Sequence, residues 1–241
     1  MKKLAKATRG RKQLIFLDLE GTQFSHELIA IGAIKATIKT DGTIKKLYPG
    51  FKHYVLATQN VGNYVEKLTG ITDDLLAREG IPFDKILLML KKYVGTNLSK
   101  TKFVTFGAHD IRILRQSLAH IPEADHTFIK TIAKNHIDLS AYINEYIKDE
   151  KNNTLSLVNL CKLFGVEPVE PAHDPLNDAL MLAYLYSELF KKTDILIERY
   201  GEVLLNMNNI PRPIKRMLNK IKAGESVNID DLQEYLRDEI V

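Results

Sequence analysis

Within FLDLEGT (16–22), Asp18 and Glu20 sit two residues apart at the end of a short apolar run, QLIFLDL (13–19), of the kind that forms a strand buried on both faces. Side chains alternate along a strand, so the two carboxylates project from one face about 7 Å apart. Acids brought together at a buried strand end repel each other, and a divalent cation is the simplest compensation. Ligands that are all oxygen favour magnesium or manganese over zinc. Asp-x-Glu is a common pattern by itself; its place between an apolar strand and Gly21-Thr22 is what singles it out.

A second signal is His173 followed by Asp178. The spacing alone discriminates poorly, because His120 and Asp125 share it. Context separates the pairs. His120 precedes a stretch interrupted by Pro122, with no clear long helix at Asp125. His173 lies in a proline-rich loop, EPAHDP (170–175), and Asp178 in the first turns of an apolar helix. Asp174 makes a good N-cap for that helix, and Pro175 suits its first position. A carboxylate on a rigid element suits a metal, and an imidazole on a looser one suits a base that takes a proton from water. A surface loop histidine is the plainer alternative. The third signal is Asp110 in VTFGAHDIRIL (104–114), just past a strand end, where an ordinary helix-starting aspartate is also expected. Its neighbour His109 is a rival base, but faces away from Asp110 on either a helix or a strand.

Strands and helices must bring these groups together. Residues 13–19, 27–38 and 44–55 read as three strands of an antiparallel meander, with Asp41-Gly42 as a tight turn. Helical spacing follows at 60–69 and 83–94, then a strand at 102–107 ending in Gly107, a helix from about 110 to 118, and HIDL (136–139) as a last strand. Helices near 140–148, 154–164 and 175–191 complete the body. A meander followed by alternation with helices predicts an α/β fold, a mixed sheet flanked by helices. Residues 1–12 read as a basic N-terminal arm, 13–191 as the main domain and 192–241 as a helical C-terminal appendage.

The chain has 241 residues, 45% hydrophobic and 27% charged, enough for a full core without staples. The single cysteine, Cys161, sits in an apolar helical pattern and reads as a small buried filler in a reducing compartment. No stretch approaches the roughly 20 apolar residues of a membrane span, and LIFL is too short for a signal core, so a cytoplasmic location is expected. The net charge of +4 is uneven: six positives and no acid lie in MKKLAKATRGRK, leaving a mildly acidic body. Such an arm either grips phosphates or is a solvated tail. A second basic stretch (Arg212, Lys215, Arg216, Lys220, Lys222) is either an RNA grip or a solvated helix face. Oligomeric state has no signature here.

FLDLEGT with ELIAIGAI (27–34), then VTFGAHDIRIL, then LSLVNLCKLFGVEP (155–168) with AHDPLNDALMLAYLY (172–186), resemble in that order the three exonuclease motifs of the DEDDh group. That group includes the proofreading subunit of bacterial DNA polymerase, ribonuclease T, oligoribonuclease and the histone-mRNA 3′ exonuclease, whose branch is the nearest in style. The resemblance spans about residues 13–190, and LTGIT (68–72) also matches. Phe106 stands where that branch often has tryptophan, and 192–241 match nothing.

The resemblance implies a ribonuclease H-like fold with a mixed five-stranded sheet. It implies that Asp18, Glu20, Asp110 and Asp178 hold two Mg2+ or Mn2+ ions and that His173 is the general base. The activity expected is 3′→5′ removal of nucleoside monophosphates from single-stranded nucleic acid with a free 3′ end. TFGAHD in the second motif leans toward RNA over DNA. Backbone at Gly21-Thr22 is expected near the terminal sugar and Phe24 near the last base. The alternatives are a non-catalytic nucleic-acid-binding or docking module that kept the fold, and a subunit active only within a larger assembly.

Overall fold

The computed structural model describes residues 2–171, 173–207 and 209–240. Met1, Ala172, Asn208 and Val241, which fall in the predicted arm, the histidine loop and the appendage, lie outside the described residues. The first half of the chain forms α1 (Lys2–Thr8), β1 (Gln13–Gly21), β2 (Leu28–Ile38), β3 (Ile44–Leu47), β4 (Phe51–Leu56), α2 (Asn63–Thr69), α3 (Asp73–Glu79), β5 (Ile81–Pro82) and α4 (Phe83–Val94). Then come β6 (Thr101–Thr105), α5 (His109–His120), α6 (His126–Lys134), β7 (His136–Asp138), α7 (Leu139–Ile143), α8 (Leu157–Leu163), α9 (Pro175–Lys191), α10 (Thr193–Leu205), α11 (Arg212–Lys222) and α12 (Ile229–Ile240). The chain divides into two units, Met1–Ile143 with Leu155–Thr193, and Asn144–Thr154 with Asp194–Val241.

The first unit holds a mixed sheet in the order β5-β4-β2-β1-β6-β7, with β3 also paired to β2. β1 runs antiparallel to β2 and parallel to β6, and β7 extends the parallel side. Among the described residues the sheet has seven strands rather than the expected five. The predicted strand 44–55 is split because Pro49 offers no N–H to a ladder, and Gly50 lies against the Leu176 side chain where a Cβ would collide. β5 adds only two residues beside β4. A helix over 126–134 was also unforeseen: Asp125 caps it by accepting from the Phe128 N–H at 2.9 Å. The segment read as a basic arm is largely α1, whose Leu4 is buried.

Both faces of β1 are covered. Ile15, Leu17 and Leu19 join α4, α5 and α6 in one core. Phe16 points the other way and meets the Tyr186 ring of α9 edge-on at 5.4 Å. Asp18 and Glu20 share the Phe16 face by alternation. Opposite Asp18 in the ladder is Gly32, where a Cβ would fall inside the Pro175 carbonyl and the Leu176 nitrogen. Glycine there lets the start of α9 rest directly on the sheet beside Asp18. Cys161 is buried, its thiol pushed up to about 12 by burial, and contacts the Met181 carbonyl as a packing residue. No helix among the described residues is long and apolar enough to cross a membrane.

In the second unit α11 and α12 are joined by Arg216, which lies 3.8 Å over the Tyr235 ring and pairs with Asp238 at 2.6 Å. Lys220 pairs with Asp231 at 2.7 Å. Two of the five cations weighed as an RNA grip therefore hold the helix pair together.

The Gly32 contact sets a test. Gly32→Ala forces α9 off the sheet, and overpacking of this kind costs about 1–3 kcal/mol or more. Thermal unfolding should shift down by several degrees, since ~1 kcal/mol moves a domain of roughly 150–250 residues by about 2–4 °C. An unchanged midpoint would show that the contact is not tight.

Candidate active site

β1 outlasts its parallel neighbour. Its pairing with β6 ends at Phe16 and Val104, so the last turns of β1 stand at the carboxyl end of the sheet with one side open. Crevices at the carboxyl ends of parallel strands are where open α/β sheets bind ligands. The Leu19 N–H, left without a strand partner there, donates to the Asp110 carboxylate at 2.9 Å. Asp110 is buried in the first turn of α5. From the other face the start of α9 brings in Asp178. Asp174 caps that helix, accepting from the Leu176 and Asn177 N–H groups at 3.0 and 3.4 Å, and is ion-paired with Lys52 of β4. The cap and the proline at the first position match the sequence expectation.

Ligand atoms of Glu20, His173 and Asp178 all lie within 4.8 Å of one another. Asp18 and Asp110 complete the gathering electrostatically. Burial, and then the charges of Asp110, Asp178, Glu20 and Asp174, hold the Asp18 carboxyl well above its usual range. Burial, then Asp178 and Asp110, raises Glu20 to about 7. Asp110 rises to about 7 through burial, against the pull of its own helix amide and the Leu19 N–H, with the Asp138 charge pushing it further. Asp178 is raised by burial, partly offset by His173. Among the described residues no lysine or arginine forms an ion pair with any of these four acids. An oxygen-rich cluster with an imidazole at its edge and no compensating cation is the donor set a divalent ion fits.

His173 is exposed, in the left-handed region at φ 59°, just before the Asp174 cap. The rival His109 is turned aside and stacks edge-on with His26 at 5.1 Å. Thr22 is buried: its N–H donates to the Glu27 carbonyl at 2.8 Å, and its hydroxyl accepts from the Glu27 N–H at 2.9 Å and contacts Ser25. Its N–H and hydroxyl are thus spent within the turn. Gly21 is small because the Ile113 side chain packs where a Cβ would go, 3.1 Å away. Phe24, at the tip of this turn, is 83% exposed.

Asp138 was missed. The sequence marked HIDL only as a strand, yet this carboxylate accepts from the Gly107 N–H at 3.1 Å and the Ala141 N–H at 2.9 Å. It thereby fixes the β6–α5 loop that delivers Asp110. Gly107 has φ 110°, which a residue with a side chain rarely adopts. The signal available was an acid at the end of a parallel strand adjacent to the one preceding Asp110.

The raised carboxyls make a stability prediction with a defined sign. Folded-state pKa values above the unfolded ones favour the fold while protonated, and that contribution fades as pH rises from about 4 through about 7. In chelator at pH 8 the cluster is therefore at its most repulsive. Asp18→Asn should raise the unfolding midpoint of the metal-free protein by a few degrees there and much less at pH 5. Added Mn2+ should stabilise the wild type more at pH 8 than at pH 5, where protons compete for the ligands. A destabilised Asp18→Asn protein at pH 8 would contradict the charge-cluster description.

The exonuclease family model of the RNase T type matches residues 15–186. No curated protein sequence matches the chain. Among solved structures, cell-death related nuclease 4 superposes with a TM-score of 0.61 at 19% identity, over 76% of this chain and 65% of that one. The nuclease domain of 3′hExo, a DEDDh family member bound to rAMP, gives 0.60 at 19% identity over 75% and 92%. E. coli exonuclease I with a dT13 oligonucleotide gives 0.60 at 15% identity; the match covers 86% of this chain but 46% of that protein. These likenesses establish the ribonuclease H-like fold, and the family model spans most of β1, then β2, β3 and β4, the Asp110 helix α5 and most of α9. The chain belongs to the RNase T-type exonuclease family.

Proposed function

We propose that the protein is a 3′→5′ exonuclease that hydrolyses single-stranded nucleic acid, RNA in preference to DNA, to nucleoside monophosphates. The observation that carries this reading is the convergence of Glu20, Asp178 and His173 within 4.8 Å, at a strand end where Asp18 and Asp110 add two further acids. In this reading Asp18, Glu20, Asp110 and Asp178 hold two Mg2+ or Mn2+ ions. When bound, such ions lower the pKa of an attacking water and relieve charge on the phosphoryl and leaving oxygens.

The remaining steps belong to the chain. His173 takes the proton from the attacking water; its place on an exposed loop lets the imidazole meet a water above the acids. The water oxygen bonds to phosphorus and the P–O3′ bond breaks; the departing oxygen takes a proton from solvent, leaving a 3′-hydroxyl on the shortened strand and a 5′-monophosphate on the released nucleotide. Phe24 stacks on the terminal base, and Gly21 and Thr22 shape the turn that presents it. The rAMP bound to 3′hExo and the histone mRNA stem-loop recognised by a related 3′-exonuclease support RNA, while the dT13 strand on exonuclease I keeps DNA as the competitor in the test.

The test uses 5′-labelled single-stranded RNA and DNA of equal length and sequence, mixed at fixed salt because ionic strength governs such affinities. With Mg2+ or Mn2+ a ladder should shorten from the 3′ end, faster for RNA, and chelator should stop it. His173→Ala should slow the reaction by about 10²–10⁴-fold, the usual worth of a general base, and Asp18→Ala by at least as much. Intact oligonucleotide, internal cleavage, or an active Asp18→Ala protein would refute the assignment.

A further inference from the structure

A cleft of about 690 Å3 opens at the end of β1 opposite the carboxylates. Arg9, Arg11, Lys12, Lys39, Lys45 and Lys46 line it, and no carboxylate does among the described residues. They come from three separate places in the chain: the segment after α1, the end of β2 and the strand β3. None of the six forms an ion pair with an acid among the described residues. Asp41, the acid near Lys39, spends its carboxylate on the Thr43 N–H and hydroxyl at 2.9 and 2.7 Å.

Two of these cations, Arg11 and Lys46, are also held in place. The Arg11 guanidinium donates to the Ser99 carbonyl at 2.7 Å. Tyr48, another lining residue, carries Lys46 over its ring at 5.0 Å and Lys35 at 5.3 Å. Lys102 is held below the ordinary lysine range by burial and then by the Arg11 charge, which marks a positive local field. Six like charges, none in an ion pair among the described residues and Lys39 within electrostatic reach of Asp41, lie beside an aromatic ring and make a surface suited to a polyanion; a phosphodiester backbone is the polyanion that offsets such crowding by releasing its own counterions.

From Gln13 to Asp18 is five residues of extended chain, about 17 Å at roughly 3.3 Å per residue. A strand held at the carboxylates by its 3′ end must therefore run on past the sheet to reach the cleft. We propose that this basic cleft is a second binding site for single-stranded nucleic acid, gripping the backbone upstream of the 3′ end and giving the enzyme a preference for long strands over short ones. The proposal rests on the exonuclease reading for its substrate, while the cleft itself can be tested without cleavage.

Binding is measured first, by fluorescence anisotropy of labelled single-stranded RNA of about 30 nucleotides, in chelator, on an Asp18→Asn background. Adding Lys39→Gln, Lys45→Gln and Lys46→Gln should weaken binding by about tenfold and reduce the slope of log K against log salt by about 2, since each single-strand phosphate contact contributes about 0.7. A control with Lys67→Gln, Lys130→Gln and Lys134→Gln, three exposed lysines elsewhere in the sequence, should keep the affinity and slope of its parent. Cleavage is measured second, with Asp18 restored: the ratio of kcat/KM for the 30-mer to that for a strand of about 4 nucleotides should collapse in the cleft variant. An unchanged slope and affinity in the cleft variant, or an equal loss in the control, would overturn the proposal. Failure of the wild type to cleave either strand would instead count against the exonuclease reading, and the binding arm would still decide the cleft.

Discussion

Mutual repulsion among carboxylates at one end of a buried strand is the constraint around which this molecule is organised. Two unit charges 4 Å apart in surroundings of intermediate polarity interact by about 4 kcal/mol, a large share of the 5–15 kcal/mol that holds a typical domain together. Four acids in mutual reach cannot all be ionised without help: burial first, and then repulsion from their neighbours, displaces the pKa values of Asp18 and Glu20, while Asp110 is raised by burial and by the Asp138 charge. Protons relieve it in acid; in the proposed reading a divalent ion relieves it at neutral pH. The same repulsion that burdens the fold thus supplies the affinity of the proposed metal site.

The scaffold delivers these acids from three directions. The β1 ladder carries two of them in register. Gly32 lets α9 descend onto the sheet, and Asp174 and Pro175 fix where that helix begins, so that Asp178 arrives over the same edge with His173 just before it. On the other side Asp138 ties the glycine loop ahead of α5, and Leu19 holds Asp110 through a backbone N–H that no neighbouring strand claims. Each is a local solution in backbone geometry, and together they confine the choice of residue at positions that never touch a substrate.

Much of this was legible in the sequence because the relevant elements follow strong local rules. The buried run before Asp18 and the capped start of α9 have short-range signatures, and both appear where expected. The ordered motifs supplied what no single motif could. What escaped was of two kinds, local side-chain contacts with no distinctive spacing and long-range juxtapositions. Asp125 looked like a failed copy of the histidine motif and proved to be a helix cap paired with Lys91. The Thr22 N–H and hydroxyl are tied to Glu27 and Ser25 within the turn, a contact that the spacing did not announce. The role of Asp138 depends on β7 lying beside β6, and the basic cleft on β3 meeting the segment after α1. Neither juxtaposition has a trace in local spacing.

The claim at the centre is that the carboxylate cluster takes up divalent cations. Titrating metal-free protein with Mn2+ at pH 7.5, with free ion followed by electron paramagnetic resonance, measures this without reference to catalysis. A cluster of the proposed kind takes up two ions per chain saturably and loses that uptake when Asp18 and Asp110 are both changed to asparagine. Equal uptake by the wild type and the doubly substituted protein, or none by either, would contradict it.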